Sequence, residues 1–286
     1  VIARPAAPRV AIIGAGRAGR ALALALTRAG VPVRVCVRRP TQLPSPLECS
    51  LDPWNEVLGQ SDVVLLAVPD DAIGDVASAI REAPLSQAVV LHVSGLRDRC
   101  ALIALEGRAR GLGSFHPLQT LAGDSEAAGR LRAAFAVLEG DAAAVEAGRG
   151  LASALDMEAL VIEAARKPLY HAAAVLVSNY TVTLVAVAAK LARDAGVPAD
   201  AASRIFLPLL AGTVKNLELL GPASALTGPI RRGDVGTIEM HLDALDADDR
   251  RLYAMLGLRA VELAVEAGLA EERASELVRR LGAAVA

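Results

Sequence analysis

The chain has 286 residues, enough for one large domain or two ordinary ones around buried cores. Its formal net charge is -2 and only 2% of its residues are aromatic. It therefore lacks both the basic excess that a phosphate backbone demands and the rings on which single strands stack, which argues against nucleic acid as a partner.

Cysteine usage points the same way, toward small-molecule chemistry in a reducing compartment. Cys36, Cys49 and Cys100 are odd in number, form no CxxC pair and have no histidine at ligand spacing, so neither a disulfide framework nor a metal site is expected. The opening stretch "VIARPAAPRVAIIGAGRAGR" shows no uninterrupted apolar core or cleavage pattern of a secretory leader, and a cytoplasmic location is the expectation.

In chain order, residues 9–13, "RVAII", predict a buried strand. "GAGRAG" follows, then a helix ended by Gly30, then a second strand in "VPVRVCVRRP". This is one βαβ unit opening on G-x-G-x-x-G. In the turn Gly14-Ala15-Gly16-Arg17-Ala18-Gly19, Gly14 permits the tight reversal and Gly16 lets a pyrophosphate approach the backbone. Gly19 lets helix and strand pack closely, and the helix start offers free N–H groups to phosphates. An NAD site usually carries Asp or Glu about 20 residues past the first glycine. Arg38 and Arg39 stand there instead, which predicts a 2′-phosphate partner and hence NADP(H).

Residues 41–60 are polar and Pro-rich and read as loop plus a short helix. "SDVVLLAVPDD" is a strand ending at Val68-Pro69, and "AVVLHVSG" one ending at Ser94-Gly95. Val68, Pro69 and Ser94 thus fall at the carboxyl edge, where ligands lie in open α/β sheets. "RDRCALIALEGR" reads as helical, and "GLGSFHPLQT" as a short strand bringing His116 to a loop. "FAVLEG" and "MEALVIE" are further strands around another helix. From about residue 164 every periodic segment is helical. The expected fold is a doubly wound, parallel Rossmann-type sheet in residues 1–164, followed by an all-α domain in residues 165–286.

"RKPLYHAAAVLVSNY", residues 166–180, opens that second part. At 100° per residue, His171 falls roughly 40° and Ser178 roughly 20° from Lys167. Three polar groups on one stripe of an apolar helix need partners, supplied either by a ligand-filled cleft or by an internal hydrogen-bond network. Residues 172–189 carry no charge and are almost long enough to span a bilayer. Ser178, Asn179, Tyr180, Thr181 and Thr183 at their middle argue instead for a packed helix without membrane contact. Such a helix is too apolar to face water, so a homodimer through the carboxy-terminal helical half is expected.

The combination "GAGRAG…SG…HPLQT…KPLYHAAA…SNY…LTGPIRRGD…H" resembles the bacterial Rossmann-like NADP oxidoreductases whose carboxy half is a helical domain of unknown function. That family is similar in plan to the 6-phosphogluconate and 3-hydroxyisobutyrate dehydrogenases, ketopantoate reductases and pyrroline-5-carboxylate reductases. The resemblance implies hydride transfer between NADP(H) and a small carbonyl or imine substrate, ketopantoate being the first candidate. It also implies a proton-donating lysine near the start of the long helix, often with Asn four residues on. Lys167 fits the lysine and is the first choice of general acid, but His171 stands at the Asn position, so which of Lys167, His171 and His116 moves the proton stays open. Ser94, Ser178 and Asn179 are expected to hydrogen-bond the substrate, and Arg232 to hold its carboxylate. Two other readings use the same turn: a non-catalytic NADP(H) sensor, and deazaflavin–NADP hydride exchange.

Overall fold

In the computed structural model, which describes residues 7–122 and 126–285, β-branched runs form eight strands of one sheet. They are β1 (Val10–Ile13), β2 (Val33–Val37), β3 (Cys49–Leu51), β4 (Val63–Leu66), β5 (Val89–His92), β6 (Gly111–Leu118), β7 (Phe135–Gly140) and β8 (Glu158–Val161). Their order is β3-β2-β1-β4-β5-β6-β7-β8. The amino-terminal segment read above for a leader lies partly outside the described residues.

Helices α1 (Arg17–Arg28), α2 (Asn55–Gly59), α3 (Ile73–Ala79) and α4 (Ala142–Ala154) connect the strands. Alternate residues of β1, β2, β4 and β5 enter two different cores, as the period of two demands. Val10, Ile12, Val35, Leu65 and Leu91 pack in one. Ala11, Ile13, Cys36, Val64 and Val90 pack in the other. This is the doubly wound, Rossmann-like sheet that the alternation predicts.

Three local features differ from the sequence reading. Residues 49–51, inside the segment read as loop, form edge strand β3 beside β2. Residues 99–105, read as a helix, wind as 3-10 turns. Strands β6 and β7 run antiparallel, whereas every other pair is parallel. A parallel pair needs a crossover of a dozen or more residues, usually a helix. Between Leu118 and Phe135 the described residues offer only a single 3-10 turn, Gly129–Leu131.

The chain divides into two compact units, Val1–Asn179 and Tyr180–Ala286. Helix α5 (Lys167–Val177) belongs to the first, although strand–helix alternation already stops at Val161. The second unit contains α6 (Asn179–Asp194) from Tyr180 onward, then α7 (Ala199–Ala202), α8 (Leu207–Ala225), α9 (Gly228–Arg232), α10 (Val235–Ala244), α11 (Ala247–Glu266) and α12 (Glu271–Ala283). Its core gathers Ile230, Ile238, Leu242, Val261, Leu277 and Leu281. Lys190 binds Asp246 and Asp249 at 2.7 and 2.6 Å and so ties α6 to the start of α11.

Residues Ala164–Asp194 are long and apolar enough to cross a membrane, and little of that stretch is buried. Within the second unit, Val182, Leu207, Leu209, Val214 and Leu219 are each more than half exposed.

Candidate active site

The chain leaves β1 at Gly14, whose φ of +113° an L side chain rarely adopts. A Cβ at Gly14 would lie 2.4 Å from the Ala67 carbonyl oxygen, and one at Gly19 only 2.0 Å from that of Gly14. Both glycines are required by packing. Gly16 is different, because nothing stands within 4 Å of where its Cβ would be. It is the N-cap of α1, has no side-chain cap bond, and no acidic residue occupies the first turn. The N–H groups of Arg17, Ala18 and Gly19 therefore start a helix whose partial positive charge is uncompensated by its own side chains.

A cleft of about 900 Å³ opens over this turn, lined by Gly14, Ala15, Arg38, Arg39, Val68 and Pro69 among others. Both arginines are exposed at the end of β2. Of the predicted cofactor residues, Gly14, Ala15, Arg38, Arg39, Val68 and Pro69 line this cleft, and Ser94 does not. A cradle that a Cβ would not fill, an uncapped helix start and two guanidinium groups suit a dinucleotide bearing an extra phosphate.

The stripe on α5 has two destinations. Lys167 is wholly buried. Its ammonium donates to the Ser94 carbonyl oxygen at 3.2 Å and to Ser114 Oγ at 2.7 Å. Ser114 Oγ in turn donates to Glu139 Oε2 at 3.3 Å. The sheet register sets this up: His92 pairs with Ser114 across β5 and β6, and Ser114 with Glu139 across β6 and β7. Burial pushes Lys167 below the ordinary lysine range, against the pull of Glu139, Asp98 and Asp70. Burial likewise raises Glu139.

His171 and Ser178 reach a second cleft, of about 530 Å³, which Lys167 does not line. Its walls include His116, Gln119, Thr120, Tyr170 and Asn179, together with apolar Leu118, Ala174 and Val177. His116 Nδ1 is 2.7 Å from the Tyr170 hydroxyl. The His116 and His171 rings meet edge to face, with centroids 6.2 Å apart. Nδ1 of His171 is buried and has no hydrogen-bond partner.

Ser94 is committed to the scaffold. Its hydroxyl donates to Asp70 Oδ2 at 2.7 Å and accepts from the Leu96 and Arg97 N–H groups. Its own N–H donates to His92 Nδ1, and His92 Nε2 bonds the Asp98 carbonyl, which fixes the neutral tautomer of His92 with the proton on Nε2. Arg232 lies exposed on α9 in the second unit, where Gly233 closes that helix in the left-handed conformation. Sequence reasoning did not single out Gly95, Ser114, Glu139, His92 or Asp70. Among the described residues no group of three or more His, Cys, Asp or Glu could hold a metal ion.

Residues 9–94 match the family described as NADP oxidoreductase, coenzyme F420-dependent. Residues 134–260 match a domain of unknown function, DUF2520. The two matches follow one another along the chain, and the expected NADP(H) agrees with the first of them. No curated protein matches the sequence.

Among solved structures, a Bacteroides fragilis protein provisionally named an NADP oxidoreductase is 26% identical, with a TM-score of 0.70, covering 89% of this chain and 98% of that one. A Thermotoga maritima protein is 21% identical, with a TM-score of 0.65, covering 96% and 98%. Plasmodium falciparum pyrroline carboxylate reductase, solved with NADP bound, is 12% identical, with a TM-score of 0.62, covering 98% of each chain. The last two share the fold. The expectation of a ketopantoate-like substrate finds no support in these relatives.

Buried imidazoles make the site acid-sensitive. Burial first, and the charge of Lys167 among other contributions, holds both His92 and His116 at about 4, against an ordinary 6.5. As pH falls from 6.5 toward 4, the unfolded chain takes up protons at these positions and the folded chain does not. Their contribution is fully present above 6.5 and shrinks through that window, by roughly 3 kcal/mol for each imidazole. Glu139, raised by burial, works in the opposite direction, so a difference measurement isolates the imidazole. Urea unfolding at a series of pH values should show a shallower acid loss of stability in His92→Asn than in the native chain. Parallel curves would contradict this assignment.

Proposed function

We propose that this protein is a reductase that uses NADPH to reduce a small carbonyl or imine compound. One observation carries the reading: Gly14, Ala15 and the Arg38-Arg39 pair line a single cleft, and the next residue, Gly16, is an open-faced, uncapped start to α1. The match of residues 9–94 to an NADP oxidoreductase family supports it. Backbone N–H groups of Arg17, Ala18 and Gly19 would hold the pyrophosphate, and Arg38 and Arg39 the 2′-phosphate. Val68 and Pro69 would lie along the rest of the nucleotide. When bound, the cofactor supplies the hydride and is itself oxidised.

The protein's own task is to bind the acceptor, polarise it and give it a proton. His116, Tyr170 and His171 are the ionisable groups of the second cleft, and Ser178 and Asn179 are its polar wall beside them. Lys167 is too deeply buried to meet a substrate, so in this reading it is a positioning residue. It anchors α5 to β5 and β6, and its charge helps to keep His116 neutral. His116 being held neutral, the proton in this reading comes from His171.

The printed description of the matched family favours one second reading, hydride exchange with the deazaflavin coenzyme F420. Oxidation of NADPH by F420 but by no carbonyl or imine compound would select it. Binding of NADPH without turnover of any acceptor would instead select a sensor.

Calorimetric titration tests the cofactor claim. Replacing Arg38 and Arg39 by Ser should weaken NADPH binding about tenfold or more, through loss of charge-assisted hydrogen bonds, and leave NADH binding within about twofold. Equal losses for the two nucleotides would count against the 2′-phosphate assignment.

The proposal includes a homodimer through the helical half. The exposed apolar side chains of Val182, Leu209, Val214 and Leu219 support it, because water-facing surface of this kind is costly. Light scattering in detergent-free buffer should give twice the chain mass. A monomer, or a protein that stays in solution only with detergent or vesicles, would contradict it.

A further inference from the structure

An arginine pair selects a 2′-phosphate best when the turn that carries it is held still. Arg38 and Arg39 are exposed just past the end of β2, and among the described residues neither makes an ion pair. Long side chains without partners lose rotamer freedom when they close on a ligand. Order at this site therefore has to come from the backbone beneath them.

The carbonyls of Cys36, Val37 and Arg39 are all answered. The Gly14 N–H donates to the Cys36 carbonyl at 3.0 Å, and the Thr41 hydroxyl donates to the Arg39 carbonyl at 2.9 Å. Between them, the indole N–H of Trp54 donates to the Val37 carbonyl at 3.3 Å. Here a side chain stands in for a strand. Edge strand β3 ends at Leu51, opposite Val37, so the parallel ladder stops there. Trp54, just beyond it in the chain, supplies the missing donor from its ring.

Trp54 also borders the cofactor cleft. It is only 7% exposed and packs in one core with Cys36, Leu58 and Ile73. It nevertheless lines the cleft of about 900 Å³ together with Arg38, Arg39 and Thr41. An indole combines a large apolar ring with a single donor. Phenylalanine would fill much of the same core but leave the Val37 carbonyl without its donor. A residue needed for packing alone would use the ring; this one also uses the N–H.

We propose that Trp54 is a positioning residue for cofactor selectivity. Through the Val37 carbonyl it fixes the start of the Arg38–Arg39 turn, and so sets how well the cleft tells a 2′-phosphate from a bare ribose. The inference rests on the NADP(H) site of the reductase reading above. In that reading the pyrophosphate, which NADPH and NADH share, is held at the start of α1. Loosening the arginine turn therefore weakens only the nucleotide that carries the extra phosphate. An indole with a packing role alone would, when lost, weaken both nucleotides alike.

The test is a double-mutant cycle on the full chain, read by calorimetry. Trp54→Phe should weaken NADPH binding about fivefold and leave NADH binding within about twofold. In a chain whose Arg38 and Arg39 are already replaced by Ser, the same substitution should change NADPH binding by less than about twofold. The proposal is overturned if Trp54→Phe leaves NADPH binding unchanged, if NADH weakens as much, or if the loss persists in full without the arginines. Trp54 is the only tryptophan in the chain, so native protein labelled with 15N gives a single indole N–H signal. Should Trp54→Phe not fold, that signal decides. Saturating 2′,5′-ADP should move it further than saturating 5′-AMP, which lacks the 2′-phosphate, and an equal or absent response overturns the proposal. Native protein that binds no NADPH would instead bring down the cofactor reading itself, and the first titration of the cycle reports that separately.

Discussion

A buried ammonium group organises the amino-terminal unit. Lys167 is the first residue of α5, yet its charge ends among strand residues, on the Ser94 carbonyl and the Ser114 hydroxyl. An unpaired charge at this depth would be far too costly, so the surroundings must answer it. Ser114 relays the interaction to Glu139, and the β5–β6–β7 register makes the relay possible by setting His92, Ser114 and Glu139 in one row. Removing one partner from such a buried arrangement typically costs roughly 3–5 kcal/mol. The helix that carries His171 is therefore pinned to the sheet that carries His116.

That single cation also sets the protonation of its neighbours. It adds to burial in holding His92 and His116 in the neutral form, and the hydrogen bonds of His92 agree with a neutral ring. The cluster therefore concentrates its positive charge on a group that does not face the cleft. His116 is left at the cleft as a neutral hydrogen-bonding group. The polar stripe on α5 thus serves both a buried network, through Lys167, and a cleft, through His171 and Ser178.

Much of this was legible in the chain. The glycine turn could be read because each glycine answers a local demand: Gly14 and Gly19 by close approach, Gly16 by openness. Arg38 and Arg39 were legible because the end of β2 is a fixed distance from that turn. The helical stripe at Lys167, His171 and Ser178 followed from the 3.6-residue period, but its partners did not. Ser114 and Glu139 are 25 residues apart and meet only through an antiparallel register, which no periodicity reveals. The switch of direction at β7 was missed for the same reason, since it depends on the absence of a crossover helix. Gly95 looked like a strand terminator, and only the distances show that two imidazoles pack against it. His92 was the one available clue, a histidine inside an otherwise apolar strand.

The central claim is that one unit holds a phosphorylated nicotinamide nucleotide along its carboxyl strand edge and meets its reactive end with the His116–His171 pair. A crystal structure of the protein grown with NADP+ tests this most directly. The account predicts the 2′-phosphate against Arg38 or Arg39 and the nicotinamide ring beside Gly95, facing the two imidazoles. A nucleotide bound away from the Gly14–Gly19 turn, or a nicotinamide ring on the opposite side of the sheet from His116, would contradict it.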